Sequence, residues 1–166
     1  MSNPYGQQPG YGQALQQDPN NLDAPLYGAS IGQAVTRFFK KYATFSGRAS
    51  RSEYWWWTLV STVIGAILGA INSATTTPVA GDAMSAFGPV YVVLVLFSLA
   101  TLVPGLALSI RRLHDTNRSG WWVLIALIPL IGAIVLIVFY ASGPNPAGAR
   151  YDLNAGTAYP NGAYAG

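Results

Sequence analysis

Residues 54–74, 88–110 and 121–141 contain no Asp, Glu, Lys or Arg, and this constrains the fold more than any other feature. Each run has about 20 residues, enough to cross a hydrocarbon core of roughly 30 Å at about 1.5 Å per residue. Backbone groups in lipid must be satisfied within the chain, so runs of this kind are expected as helices. A water-soluble core is excluded on the same ground. Only 9% of the 166 residues are charged and 51% are apolar, against roughly 25% charged in soluble domains.

The five tryptophans, Trp55, Trp56, Trp57, Trp121 and Trp122, all stand at the start of a run, where indole rings favour the membrane interface. Eight of the nine basic residues precede the first run or separate the second from the third. The exception is Arg150. By the positive-inside rule this predicts a multi-pass membrane protein, N-terminus inside and C-terminus outside. A net charge of +3 with clustered basic residues gives no sign of nucleic-acid binding. Cysteine is absent, so disulfides and thiolate metal sites are excluded. Residues 1–36 show no signal-peptide pattern.

Residues 1–28 are Gly/Pro/Gln/Tyr-rich without apolar period and predict a disordered tail. A flexible C-terminal tail is expected over 143–166, leaving a membrane domain at 29–142. Within it, Ile31, Ala34, Val35, Phe38, Phe39 and Tyr42 recur at helical spacing, with Arg37, Lys40 and Lys41 on the other side. The pattern predicts an amphipathic helix over 30–43, capped by Ser30 and lying in the headgroup plane or against a partner protein. The fold class is therefore all-α integral membrane: one interfacial helix, three transmembrane helices and two disordered tails.

Polar chemistry is confined to SGRASRSEYWWW (46–57) and RRLHDTNRSGWW (111–122). Arg48, Arg51, Glu53, Arg111, Arg112, His114, Asp115 and Arg118 are the candidate residues for binding anionic headgroups or a partner. Bland roles stand beside this one. Ser50-Arg51-Ser52-Glu53 fits a capping box, with a salt bridge from Glu53 to a loop arginine as the alternative. Arg111 and Arg112 suit the negative end of a helix dipole, and Ser119 can cap the third run. One histidine and no cysteine make a metal site improbable. His114 and Asp115 could orient a general base, but no nucleophile elbow, phosphate loop or dinucleotide fingerprint accompanies them, so no catalytic residue and no cofactor is assigned.

Inside the runs, Ser61, Gly65, Gly69 and Ser73 recur every four residues and predict a helix-packing stripe. Pro104 and Pro129 should free the carbonyls of Ala100 and Ile125 and bend their helices.

FSGRASRSEYWWW, VPGLALSIRRLHDTNRSGWW and IPLIG resemble the hallmark segments of a family of small bacterial inner-membrane proteins, the YhaH-like domain of unknown function 805. The similarity covers roughly residues 31–152. Two positions depart from the family pattern: Asn117 stands where members often have Gly, and GPNPAGARYD replaces a Gly-Pro-Asn-Arg-Tyr-Gly ending. The resemblance implies membrane residence and carries no assigned activity. A binding or scaffold module acting on membrane lipids or a partner is the leading expectation. A component of an oligomeric transporter or channel comes second, and an enzyme centred on His114, Asp115 and Glu53 third. Homo-oligomerisation stays open.

Overall fold

The computed structural model describes residues 18–152, apart from 78, 83, 85 and 86. Among them the chain is all-helical save for one antiparallel bridge between Val79 and Asp82. Helix α1 (Ile31–Lys40) begins in a capping box, Ser30 with Gln33. Helix α2 (Arg51–Thr75) begins in the expected one: the Ser50 hydroxyl accepts from Glu53 N at 3.2 Å, and Glu53 Oε2 accepts from Ser50 N at 2.8 Å. Helix α3 (Pro89–Asp115) starts with proline at its first position, where a missing N–H does no harm. Asn117 turns the chain beyond it in the left-handed region, φ 59°. At 25 and 27 residues, α2 and α3 are long and apolar enough to cross a membrane.

Pro104 sits inside α3 and cannot donate to Ala100. The Tyr42 hydroxyl, just past the end of α1, donates to that freed carbonyl at 2.8 Å. The kink is repaired by a neighbouring element.

The third apolar run is not one continuous helix. Gly120–Leu127 is a 3-10 segment, the chain turns through Ile128–Leu130, and α4 (Ile131–Ala141) returns. Leu130 takes a φ of 63° at the turn. The two legs lie together: Trp122 meets Phe139 edge-on, with ring centroids 5.4 Å apart. A Cβ at Gly132 would fall 1.8 Å from the Ile125 carbonyl oxygen, so only glycine fits there. Ser119, where the run begins, follows closely on α3, and Ser142, where it ends, accepts from Arg112. Both ends thus stand at the same end of the α2–α3 pair. Each leg extends about 16 Å, half of a roughly 30 Å core. Where three spans were expected, the described residues hold two helices long and apolar enough to cross a membrane and one shorter apolar hairpin. Pro129 is the cause: with no N–H it leaves the Ile125 carbonyl to Ile128 N (2.9 Å), and the helix stops.

Part of each segment expected as a tail packs on the helices. Residues 1–17 and 153–166 lie outside the described residues, but 18–28 and 143–152 pack on the helices. Pro25 and Leu26 are buried, and the Leu26 carbonyl accepts from the Ser50 hydroxyl at 2.6 Å. Residues Pro146–Tyr151 form a 3-10 turn with Gly148 and Ala149 buried. A Cβ on Gly148 would meet the His114 carbonyl oxygen at 2.4 Å. The C-terminal segment sits at the same end of the bundle as residues 47–52, not at the opposite end as expected, since Gly47 N donates to the Tyr151 carbonyl at 2.8 Å.

Burial is concentrated at that end. Phe38, Ala49, Trp57 and Leu108 form one core, with Phe38 stacked on Trp57 at 3.5 Å, and Leu113, Leu136 and Tyr140 form another. Trp57 therefore packs inside, while Trp55 and Trp121 stay exposed. Arg37 and Lys41 are also buried, contrary to the solvent-facing side expected for them; only Lys40 of the three is exposed. Elsewhere the bundle is clad in exposed aliphatics such as Ile67, Leu102 and Leu127. At Gly65 and Gly69 a Cβ would meet open space. Ser61 and Ser73 bond within their own helix. The predicted stripe is not a packing face between this chain's helices.

Candidate functional site

The two polar segments meet, as their placement on one side of the apolar runs required, and they meet as a buried knot. Its first half joins α1 to α2. Arg37 Nε donates to Glu53 Oε1 in a short ion pair, while its other nitrogens donate to the carbonyls of Asn21 (2.8 Å), Pro19 and Ala24. A guanidinium carries donors in a fixed fork; here carbonyls of the N-terminal segment fill what Glu53 leaves. Glu53 is thus both cap and ion-pair partner, although its partner is Arg37 on α1 and not the loop arginine expected.

The second half surrounds Asp115, which is fully buried. Its carboxylate accepts from the Tyr27 hydroxyl at 2.7 Å and from Arg112 Nη1 in a short bond, and Arg48 stands 3.8 Å away. Arg112 also donates to the carbonyls of Tyr140 (3.0 Å) and Ser142, tying the hairpin's return to α3. Arg48 forks onto Asp152 through two contacts of 2.7 Å. Burial opposes the Arg48 charge, but the Asp152 hydrogen bonds and charge outweigh it and hold its pKa above the ordinary value. Burial, and then the charge of Asp115, push the Tyr27 phenol far up. Tyr27 is a permanent hydrogen-bond donor.

His114 does not join its sequence neighbour. Its ring stacks on Tyr151, centroids 4.0 Å apart and planes 3° from parallel. Its Nδ1 lies 3.0 Å from the Gly47 carbonyl, which only accepts, so Nδ1 carries a proton. Among the described residues no hydrogen bond joins His114 to Asp115, so the pair is no base–orienter dyad. Among those residues, too, no three His, Asp or Glu side chains stand together as metal ligands.

Of the remaining candidates, Arg118 lies over the Phe139 ring, 4.0 Å from its centroid, and Arg111 is buried. Arg51 is exposed and has no ion pair among the described residues. It lines an open groove of about 590 Å³ with Ser52, Trp55, Trp56, Leu59 and Ala141. The sequence reading missed Tyr27, Arg37, Lys41 and Asp152 as site residues. Arg37 and Lys41 had one usable signal: they stand four apart, so a buried partner for one draws in the other.

A helical bundle clad in apolar side chains and clamped at one end by buried ion pairs is a helical membrane protein. This chain belongs to the family described as "Protein of unknown function (DUF805)", whose model matches residues 42–153. The match takes in Arg48, Glu53, Arg112, Asp115 and Asp152 of the knot but not Tyr27, Arg37 or the N-terminal carbonyls that Arg37 holds. Among its relatives, Inner membrane protein YhaI of Escherichia coli (strain K12) is 42% identical over 112 residues, 68% of this chain and 86% of the relative. Inner membrane protein YhaH of the same organism is 34% identical over 115 residues, 69% of this chain and 89% of the relative. No solved structure matches.

Proposed function

We propose that this chain is an inner-membrane binding module for anionic lipid headgroups, with two spans, a re-entrant hairpin, and residues 18–52 and 142–152 on the cytoplasmic face. The charge distribution supports the orientation. In a three-span reading Arg150 is the one basic residue on the wrong side. With the run folded into a hairpin, Arg150 joins the other eight at one end, as the positive-inside rule demands. The hairpin's half-depth legs agree with a re-entrant segment, and the relatives' names agree with the compartment.

The binding reading rests on one observation: Arg51 is exposed, without an ion pair among the described residues, at a groove walled by Trp55, Trp56 and Leu59. A phosphate on the guanidinium places an acyl chain along that apolar wall, with the indoles at headgroup level. Arg48, Arg112 and Arg37 are engaged by Asp152, Asp115 and Glu53, which leaves Arg51 as the arginine that serves this groove. The protein purified in native lipid should carry phosphatidylglycerol, and Arg51→Gln should lower the retained amount roughly fivefold, from about 1 kcal/mol per basic residue at an anionic surface. Unchanged retention in Arg51→Gln overturns the reading.

A further inference from the structure

Two buried cations where α1 meets α2 and α3 each keep a side-chain nitrogen without an acceptor among the described residues. Lys41 closes α1 and is 2% exposed; Arg111 lies in the last turns of α3 and is 1% exposed. Lys41 Nζ and Arg111 Nη2 are both buried without a hydrogen-bond partner, although Arg111 Nε donates to the Ala107 carbonyl at 3.2 Å. Each feels the charge of Arg37 and Glu53, and Lys41 also feels Arg111 and Asp23. Glu53 cannot serve them, because its oxygens accept from Arg37 and from Ser50 N. Arg37, Lys41 and Arg111 thus stand around one buried carboxylate, Glu53, with Asp23 exposed at the edge. Leaving a charge buried and unpaired is strongly destabilising.

We propose that Lys41 and Arg111 together hold a phosphate-type oxyanion, supplied by a lipid phosphodiester or by free phosphate. The two cations approach from different helices, one with three unpartnered N–H donors and one with a planar fork. A tetrahedral anion presents acceptors in several directions and turns these orphan donors into charge-assisted hydrogen bonds. Phe39, Tyr42 and Phe45, close to Lys41 along the chain, are exposed. This site is distinct from the Arg51 groove, whose lining comes from α2 and the end of α4.

The chain has only two lysines, Lys40 and Lys41, so ε-carbon-13 lysine NMR of the full-length protein shows one exposed reference and one buried signal. In chloride and neutral detergent Lys41 should titrate near 7, where burial and then the Arg111 charge push it. Inorganic phosphate, or vesicles of phosphatidylglycerol in place of phosphatidylcholine, should raise that midpoint by at least one unit while Lys40 stays put. A response to phosphate identifies a free-anion site, and a response to phosphatidylglycerol alone identifies a lipid site. Arg111→Lys should shrink the rise and Arg51→Gln should leave it intact. If neither anion moves the Lys41 midpoint, or if Arg51→Gln abolishes the response, the proposal is overturned, in the second case with the groove reading left standing.

Discussion

Arg48 and Asp152 stand 104 residues apart and meet in a two-pronged ion pair, both contacts 2.7 Å. One precedes the first long helix and the other follows the hairpin. Their meeting requires that the chain return to the end of the bundle from which it left.

Membrane topology follows from that pair. Reporter fusions at Asn117 and after Asp152 should be active on the same face, with a fusion at Asp82, in the connection between α2 and α3, active on the opposite one. A phosphatase and a fluorescent reporter at each position read this directly. An exported reporter after Asp152 would restore the third span and dismantle the hairpin.

Breaking the Arg48–Asp152 pair should weaken the fold strongly, since Arg48 is 3% exposed. Arg48→Ala strands Asp152 and removes a second cation from Asp115, for a loss of about 3–5 kcal/mol. The double variant Arg48→Ala with Asp152→Ala should lose less than the two singles combined, with a coupling of about 0.5–3 kcal/mol. Denaturation of the four proteins in one detergent gives the cycle; strict additivity would show that the two side chains do not interact.

Tyr27→Phe tests whether residues 18–28 belong to the fold. The substitution deletes one hydroxyl that donates to a buried carboxylate, a hydrogen bond to a charged group worth about 1.5–3 kcal/mol. A melting temperature equal to wild type would mean that this segment is a tail after all.

Why the sequence misled there is instructive. Proline and glycine density marks residues 19–28 as unable to build a core of their own, which is correct. It says nothing of whether a finished core offers them carbonyl and carboxylate partners, as Arg37, Ser50 and Asp115 do. Local signals were legible: the cap at Ser30, the capping box at Ser50, the cap at Ser119, the left-handed turn at Asn117 and the carbonyl freed by Pro104. Nonlocal ones were not. An apolar run reads the same whether it crosses or turns back at Pro129, and a Gly65/Gly69 stripe reads the same whether it faces a helix or open space. The arginines were found but not sorted into engaged and free, because sorting them required knowing which carboxylates lie within reach.

The last expectation concerns Lys41 and pH. Burial, then the Arg111 charge, lowers its amine from the ordinary 10.5 to about 7, against the opposing pull of Glu53; Arg37 adds to the lowering and Asp23 opposes it. Between those values the unfolded chain holds a proton on this amine that the folded chain has released. More protons on the unfolded side make stability rise with pH, by up to about 1.4 kcal/mol per unit. Phosphate-free detergent solutions from pH 7 to 9.5 stay below the range in which ordinary phenols ionise. Chemical denaturation of wild type across that window should show the rise, and Lys41→Met should flatten it while raising stability at pH 7. Added phosphate should also flatten it, because an anion that keeps the folded amine charged removes the difference in proton count. A wild-type curve already flat in chloride would show that Lys41 is charged and solvated in the folded protein, and the buried-cation account of the α1–α3 junction would fall with it.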